Sequence, residues 1–422
     1  MMMDLINIII IIVLIALGYN RTKTSNLGIY FLLALILKII ASMAVVGLYF
    51  YYYGYGDTIL YFEDGKLIND LFRQDWMNYF NFIFNESPVE LYYLDNPRAL
   101  FFIKIVSPIF VISNANLWII SIYIALISFY SCWYLAVNIS NVYPKLENGA
   151  VLGLLFYPSI VFWSSGLQKE SIALVCIVIL TSFLIQFKNN VLGKSPLKEI
   201  VTILLFIILF NLKYYYAAAY VLVVLPTVIL QILTQYRIIS HPMAIWVMLF
   251  LIIGFGVSFI HPNLNLSSIV NIIFENNQMY REHHILASSI DYYEFNNSLW
   301  SMLINAPIAF FSILFRPFFF EASSWLQLLI SIENGLLLVY CIAWFSISKK
   351  KISFKNPLII GGVIYVVLLA VFLALSTPNF GTLSRYRISF LPILIILLSY
   401  NNPVFGWLNW LKLRMLARKS PN

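Results

Sequence analysis

Charge is scarce in this chain. Only 10% of its 422 residues are Asp, Glu, Lys or Arg, 61% are hydrophobic, and the mean hydropathy is +0.86. That balance excludes an ordinary soluble domain, because the apolar runs exceed what one soluble core can bury. Cysteine is scarce too. Cys132, Cys176 and Cys341 each fall inside an apolar run, where a thiol is a small hydrophobe, so they point to neither a disulfide nor a zinc cluster. A Walker A loop, a dinucleotide-binding glycine fingerprint, a His-Glu-x-x-His helix and a Gly-x-Ser-x-Gly elbow are all absent. No internal repeat, heptad array or low-complexity linker divides the chain, so one integral membrane domain over 1–422 is the expectation.

What is present is a succession of apolar runs at 5–19, 28–53, 116–137, 150–165, 172–187, 201–212, 215–233, 244–260, 325–346, 358–375 and 388–400. They predict an all-α, polytopic membrane protein of about eleven transmembrane helices, with interfacial or re-entrant helices on the outer face. Segments 100–112 and 305–315 are too short to cross; Pro108 and Pro307 are expected to break them and leave them in the interface.

The basic residues fix the orientation. Arg21, Lys23, Lys145, Lys188, Lys194, Lys198, Arg237, Lys349, Lys350, Lys351, Lys355 and the tail cations Lys412, Arg414, Arg418 and Lys419 fall in alternate links. Nearly all acids fall in the others, above all in an outer loop over 54–115 and a second outer segment over 261–323. The positive-inside rule then puts the N-terminus outside and the basic tail, 401–422, in the cytoplasm. The net charge of +8 therefore belongs to orientation and does not imply a nucleic-acid partner.

Chemistry concentrates where the second run ends. After Tyr51-Tyr52-Tyr53, an aromatic anchor of the kind found at a lipid boundary, Gly54 and Gly56 allow a sharp turn and Asp57 opens a helical pattern. Asp57 reads either as a helix N-cap or as a general base or metal ligand at the membrane surface. Five outer cations, Lys169, Lys213, Arg316, Arg385 and Arg387, are not explained by orientation, although a cation at a span end often only snorkels to headgroups. Together they could hold a phosphate, and arginine could grip it bidentately. Tyr61, Asp64, Trp163 and Glu170 stand beside these groups in sequence and are substrate-contact candidates. Lys38 and Glu333 fall within apolar runs, where they could pair with each other.

The layout, with Gly56-Asp57-Thr58-Ile59-Leu60-Tyr61 opening the first large outer loop and interfacial helices following, resembles the C-type bacterial membrane glycosyltransferases. The turn Tyr157-Pro158-Ser159-Ile160-Val161-Phe162-Trp163-Ser164-Ser165-Gly166-Leu167-Gln168-Lys169-Glu170-Ser171 is similar to bacterial membrane proteins of that broad group. The resemblance implies the bacterial cytoplasmic membrane, a polyprenyl-phosphate sugar as donor, and a glycan, lipid or protein as acceptor. It further implies Asp57 as the base, Lys169, Lys213, Arg316, Arg385 and Arg387 as groups for the donor phosphate, and Tyr61 and Trp163 for stacking. A divalent metal would have Asp57 as its ligand. The frequent Asp-Glu pair after the first span is here Asp57-Thr58, and an extra span precedes it. A polysaccharide repeat-unit polymerase is the alternative, and a lipid-linked oligosaccharide flippase or other transporter the third.

Overall fold

A computed structural model of the chain describes residues 2–23, 25–85, 89–188, 196–235, 241–259, 261–283, 289–347 and 356–406. Lys194, Arg237, Lys349, Lys350, Lys351, Lys355 and the tail cations Lys412, Arg414, Arg418 and Lys419 lie outside the described residues.

The described chain is helical. In order, the α-helices are α1 (Met2–Thr22), α2 (Phe31–Gly47), α3 (Asp57–Gln74), α4 (Trp76–Phe84), α5 (Pro97–Ser113), α6 (Leu117–Val142), α7 (Glu147–Val151), α8 (Pro158–Trp163) and α9 (Lys169–Lys188). They continue with α10 (Pro196–Leu212), α11 (Tyr214–Gln235), α12 (Pro242–Val257), α13 (Leu266–His283), α14 (Leu299–Phe315), α15 (Trp325–Ile347), α16 (Pro357–Ser376), α17 (Phe380–Tyr386) and α18 (Leu391–Leu398).

Among the described residues, seven helices are long and apolar enough to cross a membrane: Met2–Thr22, Gly28–Tyr53, Leu117–Val142, Lys169–Phe187, Tyr214–Thr234, Trp325–Ser346 and Pro357–Ser376. An eighth is reached if the pair Phe380–Ser389 and Leu391–Leu398, bent by 65°, counts as one. Three further runs that the sequence marks as spans take other forms. The run at 150–165 is broken before Pro158 into α7, a π-turn and α8, because proline lacks the N–H that would continue the helix. The runs at 201–212 and 244–260 become α10 and α12, of 17 and 16 residues.

Pro108 and Pro307 do not break their helices: α5 and α14 run straight through them. In α5 the Lys104 carbonyl, which would have bonded to the N–H that Pro108 lacks, instead accepts from the Ser107 hydroxyl at 2.8 Å. A local hydroxyl has replaced the lost donor.

The chain separates into two compact units, interleaved in sequence. The first comprises Met1–Asn138, Leu154–Gln186 and Leu192–Tyr214; the second comprises Ile139–Gly153, Phe187–Val191 and Tyr215–Asn422. In the first, α1 exposes Leu5, Ile8, Ile9, Ile12 and Leu17 and is tethered through Asn7, which donates to the Ile112 carbonyl and accepts from the Tyr123 hydroxyl. A helix apolar on its outward faces is stable in hydrocarbon and a liability in water. The 54–115 segment packs α3 against α5 so closely that a Cβ on Gly65 would collide with the Phe110 ring. In the second unit α14 and α13 pack on α16, and the Tyr340 hydroxyl donates to the Ile395 carbonyl to fasten α15 to α18.

Candidate functional site

The first unit gathers its polar groups where candidate spans end. The run 28–53 finishes in a π-turn, Leu48–Tyr53, capped by Gly54 at φ 68°. Gly56, at φ 121°, occupies the cap position of α3. Both angles lie in the region that disfavours a side chain, so the two glycines make the turn. Asp57 is consequently the first helical residue and not the N-cap. It is exposed, and its carboxylate accepts from the Tyr93 hydroxyl at 2.8 Å.

Tyr93 is held in turn by Asp64. That carboxylate is buried and accepts the backbone N–H groups of Tyr92, at 2.8 Å, and Tyr93, at 3.2 Å. Asp64 thus shapes the loop that presents Tyr93 to Asp57. Burial raises the Asp64 value above its ordinary 3.8, outweighing the two N–H groups that pull it down. A carboxyl whose folded value exceeds its unfolded one costs stability above the folded value, and the cost is relieved as pH falls through it. Thermal unfolding of the wild type between pH 7 and pH 4 should therefore show a stabilising component that is missing from Asp64→Asn. Identical pH profiles for the two proteins would contradict this.

Tyr61, one turn beyond Asp57, is buried between Tyr93 and Phe102, each with its ring centre 4.8 Å away. Burial first, and the Asp57 charge second, keep its phenol protonated; burial and Asp57 do the same for Tyr93. Over the Tyr61 ring stands the Lys169 ammonium, 5.7 Å from its centre. Lys169 opens α9 and feels the charges of Lys213, Glu170, Asp57 and Arg98. Lys213 and Glu170 form a buried ion pair at 2.9 Å. Arg98, in the first turn of α5, lies 5.8 Å from the Tyr214 ring; Asn96 caps that helix, accepting the Ala99 N–H, and Pro97 begins it.

The first unit thus joins Asp57, Tyr61, Lys169, Glu170 and Lys213, five residues singled out in sequence, and adds Tyr93 and Arg98. Trp163 is buried, its ring edge-on to Phe162 and its carbonyl accepting from the Ser171 hydroxyl, so it packs the turn. Lys213, paired and buried, is a structural cation whose charge is already met.

The other three cations belong to the second unit. Arg387 is 1% exposed and donates to Glu333 at 2.8 Å and to Asn334. Asn334 donates onward to the Pro317 carbonyl at 3.3 Å. The expected pairing of Glu333 with Lys38 therefore gives way to Arg387, while Lys38 donates to Ser164 and, at 3.5 Å, to the Val161 carbonyl. Arg316 pairs with Glu321 and lies 5.1 Å from the Phe380 ring. Arg385 lies over Tyr386 at 5.3 Å. Arg281 and Arg316 both bear on half-buried Tyr292, a grouping with no signal in the sequence.

Among the described residues, no three His, Cys, Asp or Glu side chains come together as a metal site. At Asp57 the Tyr93 hydroxyl donates to the carboxylate, and the carboxylate charge bears on Lys169. No family model, no curated protein and no solved structure matches the chain.

Proposed function

We propose that this protein is a membrane glycosyltransferase that takes a sugar from a polyprenyl-phosphate donor at the outer face of a bacterial cytoplasmic membrane, in surface polysaccharide or glycoconjugate synthesis. One observation carries the reading. An exposed carboxylate and a lysine ammonium, Asp57 and Lys169, meet around one tyrosine, at residues that border the apolar runs 28–53 and Lys169–Phe187. A lipid-linked phosphosugar needs that combination at that level: hydrocarbon alongside, a cation for the phosphate, and a base for the incoming hydroxyl.

In this mechanism Asp57 takes the proton of the acceptor hydroxyl. The acceptor oxygen attacks the anomeric carbon as the bond to the lipid phosphate breaks, with inversion, and polyprenyl phosphate leaves with the electron pair. Lys169, supported by Arg98, offsets the charge that grows on the departing phosphate. Tyr93 fixes the carboxylate, and the Lys213–Glu170 pair steadies the start of α9. No step requires a metal. The basic links face the cytoplasm and the 54–115 loop faces outward.

A second reading, the repeat-unit polymerase centred on arginines, draws on Arg281 and Arg316 about Tyr292. The test is incubation of the purified protein, in lipid nanodiscs, with polyprenyl-phosphate sugars and membrane glycan acceptors. Transfer of single sugars supports the first reading; chain extension from oligosaccharide diphosphate lipids alone supports the second.

A further inference from the structure

The turn between α8 and α9 contains one polar side chain with nothing to bond to. Gln168 is 2% exposed, and neither its amide nitrogen nor its amide oxygen has a partner. Its neighbours are all provided for. The hydroxyls of Ser164 and Ser165 bond to the carbonyls of Ile160 and Val161, and that of Ser171 to Gly166. Gly166 is packed closely on one side, since a Cβ there would lie 2.5 Å from Val45 and 3.8 Å from the Gln168 amide carbon. That sets the amide beside the end of α2 that leads into Gly56 and Asp57, and one residue before Lys169. Thr58, next to Asp57, is likewise buried with an unpartnered hydroxyl. Buried polar groups are nearly always bonded, so each exception calls for an explanation.

The chemistry of the amide selects the ligand. An ionised phosphate diester offers only acceptors and would leave the amide oxygen bare, and an isoprenoid chain offers nothing. A sugar hydroxyl is both donor and acceptor, and neighbouring hydroxyls on a pyranose can meet the NH2 and the C=O of one amide together. Resting on the glycosyltransferase reading above, we propose that Gln168 reads the hydroxyls of the donor sugar, with Thr58 beside Asp57 as a second reader, while Lys169 meets the phosphate. Gln168 is then a specificity residue and takes no part in proton transfer.

The test uses the full chain in nanodiscs and Gln168→Met, which keeps the side chain's length and removes both polar atoms. Binding is followed with bare polyprenyl phosphate and with the same lipid carrying glucose, mannose, galactose or N-acetylglucosamine. Replacing an unsatisfied buried amide with a matching apolar group should leave the unliganded unfolding temperature unchanged or higher. Bare polyprenyl phosphate should bind the variant as it binds the wild type. The sugar lipid that the wild type prefers should bind on the order of tenfold to a hundredfold more weakly, the loss expected for two hydrogen bonds. A drop of several degrees in the unliganded protein would show that the amide is already part of the fold and overturn the proposal. So would a sugar preference that survives in the variant, or a wild type that binds every sugar lipid no better than bare lipid phosphate. If the wild type binds none of these lipids, the glycosyltransferase reading itself fails and takes this proposal with it.

Discussion

Asp57→Asn is expected to reduce sugar transfer by roughly a hundredfold to ten-thousandfold, the usual contribution of a general base, while the protein remains folded. The exchange keeps the side chain's size and still offers an oxygen to the Tyr93 hydroxyl, the contact that fixes the carboxylate. What it removes is the charge and the ability to accept a proton. Asp57 is exposed and occupies the first helical position, so the fold loses its favourable interaction with the helix dipole, about 0.3–1 kcal/mol. Turnover and thermal unfolding measured on the same preparation separate the two effects. Near-normal turnover in Asp57→Asn, with collapse in Arg316→Ala, would remove the carboxylate mechanism and make the arginine-centred polymerase the better account.

Arg387→Met is expected to act in the opposite way, on the fold and not on donor binding. Arg387 and Glu333 are buried, with side chains 1% and 9% exposed, and removing the cation leaves a carboxylate inside the second unit without its partner. Breaking a buried pair from one side costs about 3–5 kcal/mol, and replacing both members by apolar groups recovers most of that. Thermal unfolding should therefore drop sharply for Arg387→Met and rise again for Arg387→Met combined with Glu333→Leu. If Arg387 instead served the donor phosphate, the single variant would unfold normally and lose lipid binding.

The contrast between these two residues marks how far the sequence could be read. The helical class was legible because 61% apolar residues fall in long runs, and among the described residues seven of the expected spans stand as continuous helices long and apolar enough to cross a membrane. That Asp57, Tyr61 and Lys169 border irregular backbone was legible because a Gly-x-Gly turn and a serine-rich turn end the apolar runs before them. Pairing was not legible. Lys169 and Lys213 look alike in sequence, yet Lys213 is matched by Glu170, 43 positions earlier. Arg387 finds Glu333 in the same way, 54 positions earlier. Tyr93 reaches Asp57 only because Asp64 folds the intervening loop, a relation that no periodicity reveals. The reading of Pro108 as a break failed for a local reason: Ser107 beside it restores the lost bond. The reading of Asp57 as a cap failed by one residue, because Gly56 adopts a backbone angle that takes the cap position.

The central claim is that a lipid-linked phosphosugar docks in the first unit, between Asp57 and Lys169. Its most direct test is photo-crosslinking with polyprenyl phosphate that carries a diazirine on the isoprene nearest the phosphate, followed by peptide mapping with and without unlabelled lipid. The account predicts label, competed away by unlabelled lipid, on peptides containing Asp57 to Tyr61, Tyr93 to Arg98 and Gln168 to Lys169. Competed label confined to the peptides of Arg281, Arg316 and Arg385, or label that unlabelled lipid does not displace, would contradict it.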